Sequence, residues 1–229
     1  NPHYWKVDPE TGHQLPYLDE VEFRFIPETE SIVRAFGAKE VDVIQPPPAV
    51  ETAAALQALE GAKVQILHGP GWEHCSFQVG PNNRNADSMN VSRSYRQAVA
   101  HALDRDLLVQ ELWSGMLPGH IDGFLSVLTP DASSEPWAVY DYNPERAAAL
   151  LSTACEELER DCDVDPPRLV FSATSNGDIR VRLANLRPDK QAKSGLEVEL
   201  ELEDSQIFFG ETLDGGTWDV GVWAWVASP

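Results

Sequence analysis

The hydrophobic pattern changes period several times along the chain. Residues 20–26, EVEFRFI, alternate apolar and charged side chains at a period of two, which predicts a strand, and 28–38 then carry Ile32, Val33 and Phe36 at helical spacing. VDVI at 41–44 reads as a short strand, a proline triplet precedes a helix over 49–59, and AKVQIL at 62–67 and HCSFQV at 74–79 read as two further strands. From 91 to 103, Val91, Tyr95, Ala98, Val99 and Ala102 fall on one helical stripe, and Asp104 is placed to cap a second helix, RDLLVQELW. Asn143-Pro144-Glu145 opens another helix, because Asn caps and Pro fits the first turn, and it runs to about Leu158. The remainder alternates again: strand 168–173, helix DIRVRLANL, strand 196–202, a short helix SQIFFGETL, and a strand over 218–226.

Strands alternating with helices predict an α/β domain with a mixed sheet. The first eighteen residues, rich in Pro, Gly and aromatics without a sustained period, read as an ordered loop or linker. The irregular stretch from Gly115 to Asp141 is longer than a connection inside a compact domain usually is, and such loops are more often functional than idle.

Charge removes two classes of partner. With 37 acidic against 17 basic residues the formal net charge is −20, which opposes binding to nucleic acid or to an anionic membrane. No apolar run approaches the length of a membrane helix. The chain opens at Asn1 without an initiator Met and stops at Pro229 directly after an apolar run, so both ends look cut from a longer chain. Among Cys75, Cys155 and Cys162, the last two are near in sequence; composition leaves a disulfide in an oxidising compartment and unrelated thiols in a reducing one equally open.

The common catalytic and phosphate-binding signatures are absent, and no nucleophile and base pair is evident, so the sequence does not read as an enzyme and implies no cofactor. HGPGWEHC at 68–75 gathers His68, His74 and Cys75, but no second cluster completes a zinc-like ligand set, and no metal site is expected. His101 lies in an apolar helix and reads as a satisfied core histidine. Asn90-Val91-Ser92 matches a glycosylation sequon, a pattern short enough to arise by chance. Trp223 and Trp225 share one face of the last strand, facing either a core or a ligand; spacing does not choose.

Four segments in register carry a resemblance. NPHYW with PYLDEVEFRFIPETESIVRAFGAKEVDVI, YRQAVAHALDRDLLVQELWSGMLPG, YDYNPERAAALLSTA and the closing DVGVWAWVASP together resemble the peptide, dipeptide and nickel-binding family of ABC importer receptors, across essentially the whole chain. The resemblance implies a mixed-sheet α/β lobe of a type II-like periplasmic binding protein, with residues 1–19 a hinge segment from a first lobe and 20–229 the second lobe. It further implies a receptor component that binds a peptide or other small solute and delivers it to ABC permease subunits, in an extracytoplasmic parent held to a membrane only through a lipid anchor outside this chain. The alternative is a regulatory or scaffold lipoprotein that kept the fold and lost transport.

Export also favours a Cys155–Cys162 disulfide, with Cys75 a buried thiol on its strand. By the same resemblance the ligand-facing surface is expected to comprise Trp223, Ala224, Trp225 and Val226, with Phe77, Gln78 and His120, and the strand at 20–26 is expected beside the last one. Peptide-binding members carry an Asp shortly after the Trp of the closing strand; here Ala224, Trp225, Val226, Ala227 and Ser228 follow Trp223. An ammonium group would have no charge partner there, so an apolar, capped or glycosidic solute suits this wall better than a free peptide amine.

Overall fold

The alternating segments of the C-terminal part meet in a four-stranded mixed sheet in the computed structural model, which describes residues 4–67, 71–113, 116, 139–175 and 195–226. The expected helix DIRVRLANL, most of the 115–141 stretch, His68 and His120 lie outside the described residues. The chain divides into two units, 1–62 and 63–229.

In the first unit, α1 (Thr29–Gly37) and α2 (Val50–Gln57) form where helical spacing predicts them. The strands expected at 20–26 and 41–44 do not form, nor does the one expected at 62–67, almost all of which belongs to the second unit; among the described residues of the first unit the ladder contact is the bridge Val7↔Gln14. A period-two pattern marks the faces of a strand, but a strand exists only where a neighbour takes its N–H and C=O groups. Phe23 and Phe25, on the face that the pattern predicts as buried, are 79% and 95% exposed.

In the second unit, the sheet consists of β1 (Gly71–Phe77), β2 (Arg168–Thr174), β3 (Glu197–Glu203) and β4 (Val220–Val226) in the order β1-β4-β2-β3. β4 runs antiparallel to β1 and parallel to β2, and β2 runs parallel to β3. The neighbour of β4 on its outer side is therefore β1, not the 20–26 segment. β1 begins three residues earlier than the alternation suggests because its ladder follows β4 out to Gly71↔Val226.

The starts of the three helices that follow are capped by side chains, at Asp104 and Asn143 as the sequence foretells and at Ser92 within the stretch that it reads as helix. Ser92 accepts from the Tyr95 N–H to open α3 (Arg93–Ala102), Asp104 from Leu107 N–H to open α4 (Arg105–Trp113), and Asn143 from Arg146 N–H to open α5 (Pro144–Glu157). The core joins α3 and α5 to one face of the sheet: Tyr95, Ala98 and Ala102, then Ala147, Leu151 and Ala154, meet Leu169, Phe171, Ala173, Val220 and Val222. Each large apolar side chain buried there contributes roughly 1.5–3 kcal/mol. His101 is buried in α3 and its Nδ1 lies 2.7 Å from the Asp141 carbonyl oxygen, the satisfied core histidine that the sequence suggests.

Cys155 and Cys162 are joined in a disulfide, their Cα atoms 6.1 Å apart, which ties the end of α5 to the approach to β2. Cys75 stays outside this bond, half-buried on β1 against the core.

Candidate functional site

The opposite face of the sheet carries a different chemistry. The register aligns Trp72 with Trp225, His74 with Trp223 and Ser76 with Gly221 across β1 and β4, and Gly221 with Ser172 across β4 and β2, so these side chains share the face turned away from the core. This face meets α6, a helical segment that runs through Ser205–Ile207, a wider π turn at Phe208–Thr212, and Leu213–Gly215, and whose Thr212 Oγ1 donates to Glu203 Oε2 at 2.5 Å. Phe208 of α6 is fully buried, and its ring lies 6.3 Å from that of Trp223.

Toward β1 an aromatic array emerges. The Trp223 indole stands edge-on to Trp218 at 5.5 Å and to His74 at 4.7 Å, while His74 lies 4.9 Å from Trp72 and 6.2 Å from Trp225. Tilted and edge-to-face contacts of this kind favour each ring's quadrupole and fix its orientation. Trp223 is half-buried, whereas Trp225 is 55% exposed at the outer end of the strand. A row of indoles, wedged at one end by Phe208 and open at the other, is a surface for stacking.

A polar knot fixes the base of β4. Asp219 is buried, and its carboxylate accepts from Asn83 Nδ2 at 2.9 Å, Asn85 Nδ2 at 3.1 Å, Ser88 Oγ at 2.6 Å, Asn90 Nδ2 at 2.8 Å and the Val170 N–H at 2.9 Å. Five donors hold the 83–90 loop, β2 and β4 in one arrangement, compensating a carboxylate that burial alone would penalise. Tyr95 is pushed well above its ordinary range, first by burial and then by the nearby Asp219 charge. Sequence reasoning passed over this knot; the signal was the run PNNRNADSMN, whose polar side chains have no period. Asn90, the residue of the apparent sequon, is buried in the knot, so its amide is not exposed to a glycosylating enzyme.

The residues expected at the site separate. Trp223 and Trp225 lie together on the aromatic face. Ala224 and Val226 are exposed on β4 and have the opposite parity, that of the core face. Phe77 packs against the core, which corrects its placement beside the tryptophans: it is two registers from Cys75 and shares that residue's side of β1. Gln78 is spent on the chain itself, donating through Nε2 to the Gly216 carbonyl at 2.9 Å and accepting from the Gly80 N–H at 2.8 Å. Gly216 has φ +67°, and a Cβ there would meet Gln78 Nε2 at 2.9 Å, so this turn into β4 requires glycine. His120 lies outside the described residues. Trp72 and His74 were not anticipated as site residues, although alternation in WEHCSF places them on one side of their strand.

Of the β3 acids sharing this face, Glu197 is exposed at the register of Arg168 and the other three are engaged in ion pairs. Arg84 pairs with Glu201 and, at 2.8 Å, with Glu203, and Arg168 pairs with Glu199 at 2.9 Å. Among the described residues no group of three or more His, Cys, Asp and Glu is placed to hold a metal ion, and no helix is long and apolar enough to cross a membrane.

The family model for bacterial extracellular solute-binding proteins, family 5 middle, matches residues 1–229. The chain is 30% identical over 162 residues to the periplasmic alpha-galactoside-binding protein of Rhizobium meliloti, covering 66% of this chain and 23% of that protein. Among solved structures it is similar to NikA from Staphylococcus aureus in complex with Ni(L-His)2, at a TM-score of 0.65 and 16% identity, over 87% of this chain and 39% of that one. It is also similar to DppA from Helicobacter pylori in complex with the peptide STSA, at a TM-score of 0.65 and 18% identity, over 89% of this chain and 36% of that one.

Proposed function

We propose that this chain, which belongs to the bacterial extracellular solute-binding proteins of family 5, is one lobe of a receptor that captures a small solute outside the cytoplasm and passes it to the permease of an ABC importer. The observation that carries the reading is the open aromatic face of β1 and β4, where Trp72, Trp223 and Trp225 gather around His74 on a rigid sheet. Small-molecule sites combine large apolar faces with a few placed polar groups, and sheets position such groups better than loops do. The named relatives accept an α-galactoside, a nickel complex and a peptide, so the fold supports several solute classes and the site must choose among them.

The chain spans 23% of the galactoside-binding protein and 36–39% of the two solved structures, so most of the receptor lies elsewhere. In this reading residues 20–229 form the second lobe and 1–19 the hinge segment, and the other lobe closes over the solute by hinge motion and expels its water. The lobe alone then holds the solute weakly. A receptor of this kind does no covalent chemistry, and its membrane attachment is through a lipid anchor.

The test is binding by the full-length receptor. Solute released from the purified protein is identified by mass spectrometry, and titration calorimetry with that solute compares wild type with Trp225→Ala. Because Trp225 is more than half exposed, its loss should leave thermal stability unchanged while weakening binding at least tenfold. Unaltered affinity in Trp225→Ala and in Trp223→Ala would remove the aromatic face from the binding site.

A further inference from the structure

His74 occupies the centre of the array, with three indoles around it at 4.7, 4.9 and 6.2 Å. Its Nδ1 is buried and has no hydrogen-bond partner among the described residues. An unpartnered buried polar atom is uncommon in a folded protein and is costly to leave unmet, so a group that reached it by a small shift of the surrounding rings would gain a bond. A second such atom, Ser172 Oγ, lies on the same face at the register of Gly221, just inside Trp223 along β4.

We propose that His74 is the polar recognition group of this face and that the solute it selects is an uncharged, polyhydroxylated ring, a glycoside, whose hydroxyl bonds to Nδ1 while its C–H face lies on the indoles. The inference rests on the solute-binding reading above and names the ligand class within it.

Three features of the described residues weigh against the competing chemistries at the centre of this face. Burial pushes His74 below the usual histidine range, against smaller opposing effects of the Glu73 charge and a hydrogen bond with the Trp223 backbone, and so favours the neutral imidazole. A neutral imidazole has one donor and one acceptor, and a hydroxyl has both to match it. Of the β3 carboxylates on this face, Glu199, Glu201 and Glu203 are paired with Arg168 and Arg84, Glu197 stands at the register of Arg168 two strands away from β4, and Glu73 stands at the register of Ala224 with the opposite parity, so among the described strand residues no carboxylate lies beside the tryptophans to meet an α-ammonium group. No group of three metal ligands forms around His74 among the described residues. What is left is flat apolar area with one neutral hydrogen-bonding atom at its centre. A pyranose ring presents the complement: C–H bonds on one face, which meet the negative face of an indole, and hydroxyls at its rim.

The experiment is calorimetric titration of the full-length receptor with α- and β-linked di- and trisaccharides including melibiose, with tetra-alanine, with N-acetyl tetra-alanine, and with Ni(L-His)2. Thermal melts are recorded for every variant. A saccharide should bind best; His74→Phe should bind it about tenfold more weakly, and His74→Gln, which restores a neutral donor and acceptor, should recover most of that loss. Preference for tetra-alanine, its acetylated form or Ni(L-His)2, or no binding to any saccharide, overturns the ligand class. Saccharide binding that falls in Trp225→Ala yet is unchanged in His74→Phe overturns the role of His74 while keeping the aromatic site. Indifference of every bound probe to Trp223→Ala and Trp225→Ala overturns the underlying reading, and this inference with it.

Discussion

The Trp223 indole lies over the backbone of Gly221: a Cβ added at Gly221 would stand 2.6 Å from Trp223 Cζ3 and 3.3 Å from Trp218 Cε3. Glycine is therefore required here by close approach, two residues before the ring that it supports. Trp223 cannot yield easily, because Trp218, His74 and Phe208 hold it on three sides. Gly221→Ala should displace both indoles, destabilise the protein by about 1–3 kcal/mol and weaken solute binding. Near-ultraviolet circular dichroism with urea unfolding checks this; an unchanged aromatic spectrum would show that the rings are not seated on the strand.

Asp219→Asn keeps the shape of the knot and removes its charge. An amide can no longer accept from Asn83, Asn85, Ser88, Asn90 and Val170 together, so several buried donors lose their partner. The expected loss is on the order of 3 kcal/mol, read from urea unfolding. A loss under about 0.5 kcal/mol would mean that the loop 83–90 holds its place without the carboxylate.

Replacing Cys155 and Cys162 together with Ser should lower stability by about 2–3 kcal/mol, as expected for a bond that closes so short a loop in the unfolded chain. Solute affinity should not change, since the bond lies at the end of α5, on the core side of the sheet. Mass spectrometry before and after alkylation establishes that the wild-type pair is oxidised.

His74 gives stability a pH dependence of known sign. Its folded-state pKa lies below the ordinary 6.5, so the unfolded chain binds the proton more readily and stability falls as pH drops from about 6.5 through the folded value. On β1 the titratable neighbours are Glu73 and Cys75, and β4 contributes none. Equilibrium unfolding between pH 7.5 and 5 should show a slope that His74→Gln reduces; an identical slope in the variant would assign it to other groups.

The sequence by itself determined what depends on neighbours along the chain. Asp104 and Asn143 announce α4 and α5 because a capping side chain bonds to an N–H within three residues, and the stripe from Tyr95 to Ala102 announces α3. Alternation placed β2, β3 and β4 and put Trp223 and Trp225 on one side, since a strand's side chains alternate whatever it pairs with. Four ordered motifs named the family. Tertiary structure decided everything that depends on pairing between distant segments. The register of β1 with β4 brought Trp72 and His74 to the tryptophans and turned Phe77 into the core, and the turn at Gly216 engaged Gln78. The segment 20–26 has the pattern of a strand and no ladder, and Asp219 gathers four side chains from 129 to 136 residues away. Periodicity tells which residues share a face; only long-range hydrogen bonding and packing tell what that face meets, and here that difference separates core from binding site.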